Sequence, residues 1–392
     1  MKSEHGSALA ATAGFTDPTS LYVHIPFCGS RCHYCDFTTF VAPRSVMDGY
    51  VEDLKRELAM VSSLTSKPLR TVFFGGGTPT ALDSKQLAFV LSAVTEAFDV
   101  EPTAEWTVEA NPGTVNEEKL SVLRERGVNR LSFGAQTFED RLLLAIGRSH
   151  DSETIESSVQ LAQSRGFTRI NLDLMFGLPE QSLDDVREAL NRVVQLGVHH
   201  VSAYWLKVEP GTPFHQWREA GLLPLPGEDA EADMYHLVRE TLKQAGFHHY
   251  EVSNFATEGE MAEHNLVYWR NEPYLAAGVG AHGYVNGTRY ENHRVLQRYS
   301  ADLMKGTRPV LETNQVDAHE AMEDTMMLGL RLSEGVSKRR FLKRHGKSME
   351  AVFGEAIDWG LRNSLLTWDQ DSIRLTDRAW PIANVVFEKF VE

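Results

Sequence analysis

The chain has 392 residues, 42% hydrophobic and 24% charged, the balance of an ordinary globular protein with room for a sizeable core and two domains. Its 39 Lys and Arg against 54 Asp and Glu leave a net charge of -15, which excludes a polyanion-binding surface spread over the whole molecule. Residues 1–20 lack the apolar core of a signal peptide and the arginines of a transit sequence, and no apolar run reaches membrane-spanning length, so a cytoplasmic protein with a flexible N-terminus is expected.

The first organised stretch is LYVHIPFCGSRCHYCDFTTF, residues 21–40, which holds all three cysteines of the chain. Its apolar start reads as a strand that Pro26 ends, leading into Cys28, Cys32 and Cys35 at C-x3-C-x2-C spacing. An odd number of thiols closes no even disulfide framework, and such spacing in a cytosolic chain points to metal or redox chemistry. Zinc would need a fourth donor, from His24, His33 or a distant group. A [4Fe-4S] cluster held by three thiolates would instead keep one iron open to another ligand.

Helical spacing over 45–63 is followed by strand-like runs at 71–74, 105–110, 130–135, 169–174 and 201–207. Amphipathic helices are predicted between them at 84–98, 116–126, 154–164 and 183–196. Strands spaced by helices of this length form parallel βαβ units, and six of them suggest an α/β, partial (β/α)6 TIM-like barrel over residues 21–215. Polar and glycine-rich residues collect where the strands end: Gly75-Gly76-Gly77-Thr78-Pro79, Glu109-Ala110-Asn111-Pro112, Gly134-Ala135-Gln136, and Asp173. Parallel barrels keep their active sites at this end. A buried isolated carboxylate is costly, so Glu109 and Asp173 belong at a polar mouth rather than in an apolar interior.

Residues 216–310 read as a connector, with the proline-rich LLPLPG and a helix over 230–244. Gly278, Gly280 and Gly283 match G-x-G-x-x-G, yet no βαβ unit frames them. In HNLVYW, residues 264–269, a helix would set His264 and Tyr268 on one face with Asn265 and Trp269 beside them. Residues 311–392 turn mainly helical, at 318–332, 337–344 and 349–361, with a hairpin at 365–375, a winged-helix-like pattern. The basic cluster Lys338, Arg339, Arg340, Lys343, Arg344 and Lys347 reads as a solvated helix face, and no nucleic-acid partner is expected.

Two motifs carry a resemblance. CGSRCHYC, behind Tyr22-Val23-His24-Ile25-Pro26, resembles the radical S-adenosylmethionine (SAM) superfamily and its oxygen-independent coproporphyrinogen III oxidase (dehydrogenase) branch; HNLVYW resembles the signature of the HemW group of haem chaperones within that branch. True dehydrogenases carry a further cysteine two residues after the third, where this chain has Phe37. The resemblance implies a [4Fe-4S] cluster on Cys28, Cys32 and Cys35, whose open iron SAM chelates. It implies a SAM site lined by Tyr22, Tyr34, Gly76, Gly77, Thr78, Glu109, Gln136, Arg148 and Asp173. Haem is then the cargo, bound around His264, Asn265, Tyr268 and Trp269 with His264 as the candidate axial ligand, and passed to haem-accepting proteins. Coproporphyrinogen III oxidase activity would be weak or absent. Two other readings stay open: the dehydrogenase reaction itself, and a zinc-stabilised binding module. Peripheral membrane association and the oligomeric state also stay open.

Overall fold

The computed structural model describes residues 17–391, so the expected flexible N-terminus lies outside the described residues as far as position 16. Strand and helix then alternate: β1 Ser20–Ile25, α1 Arg44–Val61, β2 Leu69–Gly76, α2 Ser84–Ala97, β3 Val100–Ala110, α3 Glu117–Glu125, β4 Arg130–Gln136. Next come α4 Asp140–Ala145, α5 Ser152–Ser164, β5 Arg169–Phe176, α6 Leu183–Leu196 and β6 His200–Trp205. Local chemistry sets the helix starts. Asp83 and Ser182 each form a capping box, with Gln86 and Asp185 respectively, at α2 and α6.

β1 to β6 pair in parallel and in chain order, as the βαβ pattern requires. The 216–310 stretch, expected as a connector, does more than connect. After α7 Pro213–Glu219 and α8 Glu228–Gln244, it supplies β7 His248–His249, β8 Asn254–Ala256, α9 Glu263–Trp269 and β9 Leu275–Ala277. β8 adds antiparallel to β6, and β9 adds parallel to β1 at the opposite edge. The order is β7-β8-β6-β5-β4-β3-β2-β1-β9, a curved sheet with two ends, hence a partial barrel.

The period-two alternation along these strands separates two faces. Val23, Val72, Val108, Leu131, Phe133, Leu172 and Val201 are fully buried in the apolar core. The alternate positions are polar: Thr71, Glu105, Thr107, Glu109, Arg130, Ser132, Arg169, Asn171, Asp173, His200 and Ser202. Several of them bond one another across the concave side. Glu105 takes Arg169 at 3.0 Å and faces Arg130 at 3.7 Å, and Asn171 donates to Ser132 at 2.8 Å and to Ser202 at 3.0 Å.

The remaining chain forms β10 His282–Val285, β11 Thr288–Asn292, α10 Leu296–Met304 and β12 Val310–Gln315, with the three strands in one antiparallel sheet. The C-terminal unit has α11 Ala318–Gly329, β13 Val336–Ser337, α12 Lys338–His345, α13 Met349–Arg362, β14 Leu366–Asp369, β15 Ser372–Leu375 and α14 Ala383–Phe387. Its strands order β13-β15-β14 beside the helices, the winged-helix-like pattern. Three of the six residues of the basic cluster are matched by carboxylates: Lys338 by Glu350, Arg339 by Asp371, Arg340 by Glu334. Among the described residues no helix is long and apolar enough to cross a membrane.

Candidate functional site

The loop after β1 carries the three cysteines, and its ends are tied together. Phe40 N–H donates to Pro26 O at 2.7 Å and Cys28 N–H to Phe40 O at 3.0 Å. The middle is clamped by two elements that the sequence periodicity did not predict. His33 N–H donates to Ile146 O at 3.0 Å just after α4, and Phe214 N–H at the start of α7 donates to His33 O at 3.1 Å. Cys28, Cys32 and Cys35 are free and half-buried. All three line a cavity of about 310 Å³ together with Tyr34, Gly76, Gly77, Thr78, Glu109, Gln136, Arg148 and Asp173.

A hydrogen-bond chain holds that cavity in shape. Arg148 donates to Tyr34 OH at 2.9 Å and to Asn111 Oδ1 at 2.7 Å; Asn111 Nδ2 donates to Thr78 Oγ1 at 2.9 Å; Thr78 Oγ1 lies 3.7 Å from Cys28 Sγ. The chain thus ties the cysteine loop to the ends of β2 and β3 and to the loop after α4. Asn111 was not among the expected site residues, although its place at a strand end was the available signal. Arg148, read in isolation, is a surface side chain; the structure puts it at the centre of the chain.

Backbone geometry is specialised here as well. Gly76 has φ +107°, and a Cβ there would meet the His24 ring at 2.3 Å; a Cβ on Gly77 would meet Phe27 O at 2.8 Å. Gln136 holds φ +67° without being glycine, a strained setting that clusters at functional sites. Burial, and then the neighbouring Asp173 carboxylate, push Glu109 up to about 8 against the lowering effect of the Gly76 amide. Burial also raises Asp173. A cavity that destabilises two carboxylates in this way suits a ligand that brings positive charge.

Three thiols on one rim could each take a different iron of a cubane. Among the described residues no group of three donor side chains is placed to hold a single metal ion, so a closed zinc site is the poorer fit. Burial raises the Cys28 thiol and pushes Cys35 up to about 11, so metal cations would have to supply the charge that stabilises their thiolates.

Other expected positions fall elsewhere. Tyr22 lines a second, adjoining cavity of about 390 Å³ with Phe37, Tyr268, Tyr274 and His282, and the two cavities share Phe37, Gly76 and Glu109. The expectation for His264 requires correction. It is fully buried, its Nδ1 is 2.7 Å from Thr71 Oγ1, and its Nε2 is 2.7 Å from Tyr268 OH. Its ring stacks on Phe73 at 5.2 Å, and its own N–H donates to Glu105 at 3.1 Å. With both nitrogens engaged and no exposed surface, it has no lone pair to offer haem iron. Tyr268 and Trp269, both expected around the haem, also part: Tyr268 lines the second cavity, whereas Trp269 lines a separate one beside α12 with Phe341 and Val336. Asn265 is half-buried on the same short helix.

Comparison with known proteins agrees with this architecture. The family model of the radical SAM superfamily matches residues 22–193, and that of the HemN C-terminal domain matches residues 316–382. The chain is 40% identical to the haem chaperone HemW of Bacillus subtilis over 374 residues, covering 95% of this chain and 99% of the relative. It is 34% identical to HemW of Escherichia coli over 382 residues, covering 95% and 98%. The solved coproporphyrinogen III oxidase HemN of Escherichia coli, a radical SAM enzyme, superposes with a TM-score of 0.84 at 23% identity, covering 95% of this chain and 90% of that one.

Proposed function

The chain belongs to the HemW family within the radical SAM superfamily, and we propose that it carries a [4Fe-4S] cluster and SAM at the barrel mouth, binds haem, and hands it to acceptor proteins. The observation that carries this reading is the meeting of Cys28, Cys32 and Cys35 with Gly76, Gly77, Thr78, Glu109, Gln136, Arg148 and Asp173 in one cavity. When bound, the cluster supplies one-electron chemistry and one iron that the protein leaves open.

The chain's own residues do the positioning. Gly76 and Gly77 let the backbone come close to a ligand, while Glu109 and Asp173 accept from its ammonium or hydroxyl groups. Arg148 sets the orientation of Asn111 and Tyr34. Phe37, 62% exposed, stands where the dehydrogenases have a thiol, and a hydrocarbon ring neither ligates nor moves a proton. Porphyrinogen oxidation is therefore proposed to be weak or absent. Free thiols and an oxygen-sensitive cluster suit a reducing compartment, in keeping with a cytoplasmic location.

The test uses the full chain, purified and reconstituted anaerobically. Iron and sulfide in cubane stoichiometry, a cluster spectrum that changes on adding SAM, and movement of bound haem to an apo-haemoprotein are expected. Stoichiometric zinc without iron would refute the cluster, and conversion of coproporphyrinogen III at an ordinary enzymatic rate would establish the oxidase instead.

A further inference from the structure

If haem is the cargo, its iron needs a donor, and His264 has none to give. The second cavity supplies one. Two histidines line it, His24 and His282. His24 is spoken for: Nδ1 is 2.9 Å from Tyr22 OH and Nε2 is 2.9 Å from Thr38 O, and burial lowers it to about 4. His282 is different. Its side chain is 57% exposed at the first position of β10, opposite Glu291 of β11, whose carboxylate lies 3.8 Å from Nε2.

The geometry points to His282 as an axial ligand of haem docked in this cavity. The inference rests on the haem-carrier reading above. The walls are Tyr22, Phe37, Tyr268 and Tyr274, flat rings for a macrocycle to lie against, with Tyr268 and Tyr274 locked edge to face at 4.7 Å and 81°. The Glu291 carboxylate, at 3.8 Å, lies beyond hydrogen-bond reach of Nε2 and leaves Nδ1 for a metal; a small turn of either side chain would let it orient the bound ring as such carboxylates do. Arg294 stands at the same rim, 61% exposed and paired with Glu291, and provides a guanidinium for a propionate. Because this cavity shares Phe37, Gly76 and Glu109 with the cysteine-lined one, haem bound here would abut the cluster and SAM pocket. Tyr268 keeps a role in that docking as a wall, while its hydroxyl remains bonded to His264.

The experiment titrates haem into the reconstituted full chain and into H282A and H282M, followed by absorption and electron paramagnetic resonance. H282A is expected to weaken binding about tenfold or more and lose the imidazole signature, and added imidazole to restore it. H282M should give a thioether-type axial spectrum, which a merely structural histidine would not produce. Cluster absorbance and iron content should match the parent in both. Parental affinity and spectrum in H282A would overturn the assignment while leaving the haem-carrier reading intact. Failure of the parent itself to bind haem would overturn both.

Discussion

Nδ1 of His264 and Oγ1 of Thr71 are 2.7 Å apart across 193 positions of sequence, and this contact fixes α9 inside the concave face of the barrel. Glu105 completes the anchor by accepting from the backbone amides of Glu263 and His264 at 3.3 and 3.1 Å. Replacing His264 with Ala leaves the Thr71 and Tyr268 hydroxyls unpaired in the interior and opens a hole against Phe73. A loss of about 2–4 kcal/mol in unfolding free energy is expected. Denaturant unfolding of the anaerobic holoprotein measures it; a change within experimental error would mean that the anchor is dispensable.

Asn111 is the middle of the chain that runs from Tyr34 through Arg148 to Thr78 and Cys28. Asn111→Ala cuts it at two bonds while leaving the three thiols in place. SAM affinity should fall on the order of tenfold to a hundredfold, because the polar wall loses its fixed geometry. Iron content should remain that of the parent. Anaerobic calorimetry with SAM, beside an iron assay, separates the two, and unchanged affinity would show that the chain only fills space.

The parallel barrel was legible because most of its strands alternate and one helix in each crossover is long enough to show its 3.6 period, as Leu183–Leu196 does over its full length. Asp140–Ala145 and Pro213–Glu219 are too short for that signal, yet they clamp the cysteine loop. The strands flanking β1 and β6 are only three residues each, so their addition to the sheet left no trace in the sequence. Cysteine spacing and the glycine run marked the mouth of the barrel. The pairing of His264 with Tyr268 was also readable, being one helical turn apart; what His264 faces on its other side depends on Thr71, which no local pattern connects to it.

Glu109 makes ligand binding pH-dependent. Burial and then Asp173 hold its carboxyl up to about 8, so at neutral pH the free site is largely protonated. A cationic ligand favours the carboxylate and lowers that value, so binding releases a proton and affinity rises with pH up to about 8, then levels off. SAM titrations between pH 6 and 9 should show this slope, and Glu109→Gln should flatten it while weakening binding. An identical slope in the Gln variant would assign the proton to another group.

Glu57 of α1 predicts a stability effect of defined sign. It is fully buried, and it accepts from Gly278 N–H at 2.7 Å, Asn292 Nδ2 at 2.6 Å and Tyr299 OH at 2.6 Å, joining α1 to the turn after β9, to the end of β11 and to α10. Burial pushes it from 4.5 up to about 7 in spite of those donors. Between these values the folded state binds more protons than the unfolded one, so unfolding free energy falls as pH rises. The contribution is fully present below pH 4.5 and is lost as pH passes about 7, a change on the order of 3 kcal/mol. Buried histidines act in the opposite sense: His264, lowered from 6.5 to about 3, contributes above pH 6.5 and loses that contribution as pH falls. Glu57→Gln isolates the carboxylate. The variant should be less stable than the parent at pH 5, because Gln puts an amide group where donors converge, and the gap should narrow steadily toward pH 8. Equal pH slopes for parent and variant would show that Glu57 holds the same charge in the folded and unfolded chain.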